Sequence, residues 1–140
     1  MNYNKAIYTI FFIFLGAIFF QIVIIFIALL SNYFDAPELE AFLISVLKIY
    51  SIHLSMLFAG TFFSRLSARH ANVDRKVFSV AVILSSLWNL LLVSSLLILM
   101  FITQPRFDVI IKFQEDIASN SAFLITGVLA YFFVAKKTNG

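Results

Sequence analysis

The chain has 140 residues, of which 62% are apolar, 18 are Phe and only 12% are charged. A soluble domain of that size has too little interior to hide so much apolar surface, so the composition predicts an all-α integral membrane protein forming a single transmembrane domain, 1–140. The lack of cysteine excludes disulfides, thiolate metal centres and thiol catalysis, and the net charge of +3 matters less than where its charges fall.

Four apolar segments follow one another. The first, Ala6 to Leu30, rises about 37 Å as a helix, enough to cross a bilayer with some tilt and too long for a signal-peptide core. No small-x-small cleavage site follows it, so it is expected to be a retained span. The second is predicted from Ala36 to Phe63: Asp35 and Glu38 have the D-x-x-E spacing of a capping box, and Pro37 falls in the first turn, where a missing N–H costs nothing. The third runs from Val77 to Ile102, capped by Asp74 and closed by Pro105. Before the fourth, the stretch "RFDVIIKFQED" (106–116) mixes apolar and charged residues and reads as a short amphipathic turn at the interface. The fourth span is placed at Ile117 to Ala135, ending at Lys136 and Lys137.

Basic residues set the orientation. Arg65, Arg69, Arg75 and Lys76 crowd the 64–76 loop, Lys5 lies at the amino end and Lys136 and Lys137 at the carboxyl end. The 31–40 loop carries only the acids Asp35, Glu38 and Glu40. The positive-inside rule then predicts a four-transmembrane-helix bundle with both termini and the 64–76 loop cytoplasmic.

Polar residues within the spans can be sorted by depth. Lys48, eight residues past Glu40, lies about 12 Å inside the outer boundary. Gln21 has nearly the same depth, whereas His53 and Asn89 fall near the midplane, giving two layers: Lys48 with Gln21, and His53 with Asn89. Ser45, Lys48, Ser51, Ser55 and Ala59 share one face of the second helix. Ser51, Ser55 and Ala59 form a small-xxx-small row that suits close helix packing, with His53 on a different side. Matching stripes are Ala17, Gln21 and Ala28 on the first helix, and Ser79, Ser86 and Asn89 on the third. These stripes are the expected buried seams, leaving Phe11, Phe12, Phe19 and Phe20 to face lipid or fill gaps.

Lys48 admits three readings. It can snorkel outward toward Glu40 or Glu38, line a wet cavity or a pore on a symmetry axis, or lie buried and neutral. No carboxylate falls inside any predicted span, which argues against proton-coupled export of cations. His53 has no second histidine or acid at ligand spacing, so a helix-contact role is expected rather than a metal site. Phosphate-binding loops, H-E-x-x-H and G-x-S-x-G are absent. A non-enzymatic protein without catalytic, cofactor-binding or metal-binding residues is therefore expected.

The basic loop has three readings as well. Its charges can bind anionic lipid, at about 1 kcal/mol each. Arg65 and Arg69, four apart, can present a basic edge to a soluble cytoplasmic protein. Arg65 and His70 have the R-x4-H spacing that resembles the motif of HEPN ribonucleases, but those enzymes need a soluble helical domain, a substrate groove and a second copy of the motif, for which this chain has no room. Direct nucleic-acid binding is not expected.

Four spans, inner termini, small outer loops and a basic cytoplasmic hairpin at 64–76 resemble, across the whole chain, the small membrane subunits of bacterial phage-defence systems, of which the membrane protein of the Kiwa system is an example. Immunity proteins against pore-forming colicins have a similar layout. The first resemblance implies a homo-oligomeric inner-membrane complex that senses infection and signals to a soluble cytoplasmic partner through the 64–76 loop. The alternatives are a small channel or transporter with a Lys48-lined path, and immunity to a pore-forming toxin.

Overall fold

A computed structural model describes residues 3–33, 35–66, 73–103 and 106–134, with side chains outside 60–66, 102–103, 128 and 131–134. The described residues are almost entirely helical, in the order α1 (Tyr3–Leu30), α2 (Ala36–Leu66), α3 (Arg75–Ile98), a π-helical turn (Leu99–Thr103), α4 (Phe107–Ser121) and α5 (Phe123–Val134). Three of the helices are long and apolar enough to cross a membrane: Tyr3–Leu30, Ala36–Ala59 within α2, and Arg75–Phe101.

Local chemistry sets the helix ends. α1 stops in a Schellman turn: Asn32 takes the left-handed conformation, φ 55°. The N–H groups of Asn32 and Tyr33 donate to the carbonyls of Leu29 and Ala28, each at 3.0 Å. Asn serves at this position because its short polar side chain tolerates positive φ better than most residues. α2 begins where the D-x-x-E spacing placed it, with the Asp35 N–H donating to Glu38 Oε2 at 2.9 Å. Asp74 caps α3 by accepting from the Lys76 N–H at 2.7 Å. The α-helical part of α3 starts two residues before the expected Val77 and gives way at Leu99 to the π-helical turn.

The carboxyl-terminal part departs from expectation. The 106–116 stretch does not form an interfacial turn; it makes up most of α4, whose buried residues Ile110, Gln114 and Ala118 recur every four positions. The expected span from Ile117 is not one uninterrupted helix either, because α4 ends at Ser121 and α5 starts at Phe123. At Ala122 the backbone N–H reaches Ser119 O at 3.4 Å, three residues back rather than four. The Ser121 hydroxyl bonds the Ile117 carbonyl just before this break, a back-bond of the kind that bends helices.

α1 packs against α2 and α3 on one side, while α4 and α5 pack against the same two helices on the other. At the centre, the indole of Trp88 has ring centroids 5.8 Å from Phe14, 5.4 Å from Tyr50 and 5.0 Å from His53. A polar chain crosses this aromatic group. Gln21 Nε2 donates to Tyr50 OH at 2.8 Å, Tyr50 OH donates to Asn89 Oδ1 at 3.0 Å, and Asn89 Nδ2 donates to the Ser85 carbonyl at 2.8 Å. Phe12, Phe19 and Phe20 lie outside, each more than 60% exposed, and so provide the apolar outer surface expected of them. Phe11 instead packs edge-on against Phe58, at 5.1 Å.

Tyr50 should therefore act as a stability determinant independent of its ring. In Tyr50→Phe, Gln21 and Asn89 lose a shared partner, and the cost expected for a polar contact between apolar helices is about 1 kcal/mol. The check is the unfolding midpoint in mild detergent followed by near-UV circular dichroism; an unchanged midpoint would show that the phenol holds nothing together.

Candidate functional site

Helical geometry divides the residues of α2 between two environments. Phe42, Val46, Tyr50, His53 and Leu57 are buried, spaced by three or four, and form the stripe that meets the rest of the protein. Lys48 is two residues from Tyr50, a rotation of about 200°, and so points away from Gln21. The expected Lys48–Gln21 layer is therefore replaced by Gln21–Tyr50–Asn89. His53 lies on the packing face rather than away from it, and contacts Trp88 and Phe14 instead of pairing with Asn89.

The expected small-residue seams are rearranged by the same rotation. Ser51 and Ser55 are exposed and Ala59 is partly so, with Ser51 Oγ donating to the Lys48 carbonyl at 3.0 Å. Within one chain these small residues do not form the seam of α2, because bulky residues occupy the contact face. Ala17, Gln21 and Ala28 of α1 are buried as expected. On α3, Ser79 and Ser86 are exposed, and the buried polar residues are Ser85, Asn89 and Ser95.

Lys48 finds its partner on α4. Its Nζ lies 3.1 Å from Glu115 Oε1, rather than near Glu40 or Glu38, and Ser45 Oγ donates to the same oxygen at 3.3 Å. Counting Glu115 with an interfacial turn hid it; placed on α4, it brings a carboxylate beside the apolar stretch of α2. Gln114, the residue before it, anchors α4 on α3, donating to the Leu92 carbonyl at 3.0 Å and to Ser95 Oγ at 2.8 Å. The clue was legible: Ile110, Gln114 and Ala118 lie on one helical face, and a helix bearing that stripe presents Glu115 at its edge.

Beside this ion pair lies a cleft of about 480 Å³ between α2, α3 and α4. Lys48, Glu115, Asp116 and Ser119 supply its polar lining, while His53 and Trp88 belong to its aromatic part. Trp88 and His53 are only 1% and 4% exposed, yet Trp88 Nε1 and His53 Nδ1 have no hydrogen-bond partner among the described residues. Buried polar atoms nearly always find a partner, so two such atoms in one wall are unusual. Among the described residues no group of three His, Cys, Asp or Glu side chains could hold a metal ion. The cleft is polar at Lys48, Glu115, Asp116 and Ser119 and large enough for a small polar molecule, with His53 and Trp88 packed beneath its wall.

Of the basic loop, Arg69 and His70 lie outside the described residues and Arg65 is described in its backbone alone. Arg75 and Lys76 are exposed in the first turn of α3.

The ion pair predicts non-additive substitutions. Lys48→Met leaves the Glu115 carboxylate without its partner, and Glu115→Gln does the reverse to Lys48; the double variant removes both charges. With side chains 70% and 34% exposed, the pair is partly screened, and a double-mutant cycle should give a coupling of about 0.5 kcal/mol. Additive losses would mean that the pair does not interact.

No protein-family description, curated protein or solved structure matches the chain, so its functional reading rests on the cleft and the helices that form it.

Proposed function

We propose that the protein is a non-enzymatic, multi-pass inner-membrane protein that binds a small polar solute in a vestibule open to the outer face, as the entry to a path across the membrane. The observation that carries this reading is the Lys48–Glu115 pair set in the wall of the 480 Å³ cleft. In the proposed topology, α1, α2, α3 and the α4–α5 rod make a four-transmembrane-helix bundle with both termini cytoplasmic. Glu115 lies eight residues past Phe107, just as Lys48 lies eight past Glu40. Both rises equal about 12 Å, so two helices entering from the outer side meet with opposite charges at one level. Ion pairs at such depth are costly unless they face water or one another, and they mark solute pathways more often than structural seams. The exposed side of α4, with Lys112, Asp116, Ser119 and Asn120, is likewise suited to water rather than lipid.

The lack of cysteine makes the test direct. Ser119→Cys should react from the outer side with a charged, membrane-impermeant thiol reagent, whereas Ile83→Cys, on the apolar outer surface at 63% exposure, should react at least tenfold more slowly. Equal rates would remove the vestibule.

A second reading is favoured by Arg75 and Lys76. Bases in the first turn of a helix oppose its dipole, and α3 has no acid there to offset them beyond the Asp74 cap. Residues kept against that cost suit an outside partner. Here the protein is the membrane subunit of a homo-oligomeric complex that docks a soluble cytoplasmic protein, as in the phage-defence layout it resembles. Replacing Arg65, Arg69 and Arg75 with Glu should abolish co-purification of that protein without affecting membrane insertion; unchanged recovery would rule docking at this edge out.

A further inference from the structure

We propose that two copies of the chain pair through the outward face of α4, with Lys112 of each joined to the partner's Asp116 about a two-fold axis along the membrane normal. The proposal rests on the reading of α4 as part of a span beside a wet vestibule. α4 turns Ile110, Gln114 and Ala118 inward. At about 100° per residue, Lys112 and Asp116 fall on either side of the opposite direction, with Ser119 next to them. All three are exposed. α4 is seated on α2 and α3, so among the described residues no other helix covers this face. Lys112 and Asp116 stand four apart yet make no ion pair among the described residues; a base N-terminal to its acid is the weaker order for a pair within one helix. They lie five and nine residues past Phe107, about 7.5 and 13.5 Å along α4. In the proposed topology that is a depth at which a charge requires water or an opposite charge rather than lipid.

The charges of this face select its occupant. One base and one acid, one turn apart, cancel in sum and complement a surface that carries the same two charges. An isologous contact makes that demand, because each surface must match itself. Two α4 helices running the same way about a two-fold axis set each Lys112 one turn, about 6 Å, from the level of the partner's Asp116, within reach of a lysine side chain. Two reciprocal ion pairs result. Val109 and Phe113, 46% and 43% exposed, lie on the flank opposite Glu115 and supply apolar contact beside them. On the Glu115 flank each copy keeps its own cleft, and the second copy stands where lipid would otherwise close over Ser119.

Charge reversal in the full chain tests this. Two differently tagged copies are co-expressed and extracted in mild detergent, and the capture of one through the tag of the other is measured. Wild-type copies should capture one another. Lys112→Asp gives each face two acids and Asp116→Lys gives it two bases, so either variant paired with itself should lose capture at least tenfold. Lys112→Asp paired with Asp116→Lys sets acids against bases and should regain the wild-type level, a recovery that neither misfolding nor a pair within one chain can produce. Absence of wild-type capture, with the face left to lipid or taken by an unrelated membrane protein, would overturn the pairing. So would capture indifferent to both reversals, or no recovery in the mixed pair. Labelling of Ser119→Cys reads the vestibule separately. If it stays open to the impermeant reagent while capture fails, the vestibule stands without the pair. If capture follows the expected pattern but Ser119→Cys is sealed in both the paired protein and the Lys112→Asp variant, the pair stands and the vestibule is lost.

Discussion

The phenol of Tyr50 fixes the rotation of α2, and much else follows from that. By donating to Asn89 and accepting from Gln21, it joins three helices at one point. A helix with one residue so constrained cannot turn about its axis without breaking those bonds. His53 is thereby held on the inner face beside Trp88, and Lys48 is carried to the opposite side, where only α4 can meet its charge. Had α2 been turned by half a revolution, the serines would form the seam, and Lys48 would face Gln21 with no carboxylate near. Polar contacts exert such control because apolar contacts among Phe, Leu and Ile have little directional preference, whereas a hydrogen bond tolerates only small errors in distance and angle.

Composition and terminal signals were legible because they depend on local chemistry. Three helices long enough to cross a membrane, the start of α2 at Ala36 and the Asp74 cap follow from residues within a turn of the feature they determine. The contacts between helices were less legible. Depth along a helix can be counted from the chain, but rotation about its axis depends on which residue wins the contact face. Small residues favour close approach, yet in α2 the face belongs to Phe42, Val46, Tyr50 and Leu57, whose bulk fills the space between more widely separated helices. Tyr50 does not stand out as polar in the sequence because its ring counts among the aromatics and its hydroxyl matters only once two partners are in place.

The region after Pro105 shows a different difficulty. Its charged residues argue against a buried helix when counted, and the 106–116 stretch therefore reads as interface. Counting obscures periodicity: Ile110, Gln114 and Ala118 make a narrow inward stripe, and the charges occupy the remaining circumference. A helix of this kind can sit beside apolar helices provided that its polar side faces water or a partner, a condition that follows from the burial of its inward residues and not from its average composition.

The interruption at Ala122 has a mechanical consequence. α4 is seated by Ile110, Gln114 and Ala118, and α5 by Ile125 and Leu129, so each half of the rod has its own anchorage. An unbroken helix of 28 residues would transmit any tilt at Phe107 along its whole length. At Ala122 the regular four-residue spacing lapses, and Ala122 itself stands in the wall of the cleft. Each half therefore keeps its own seat, and Glu115 and Asp116 are positioned by the contacts of α4 rather than by those of α5.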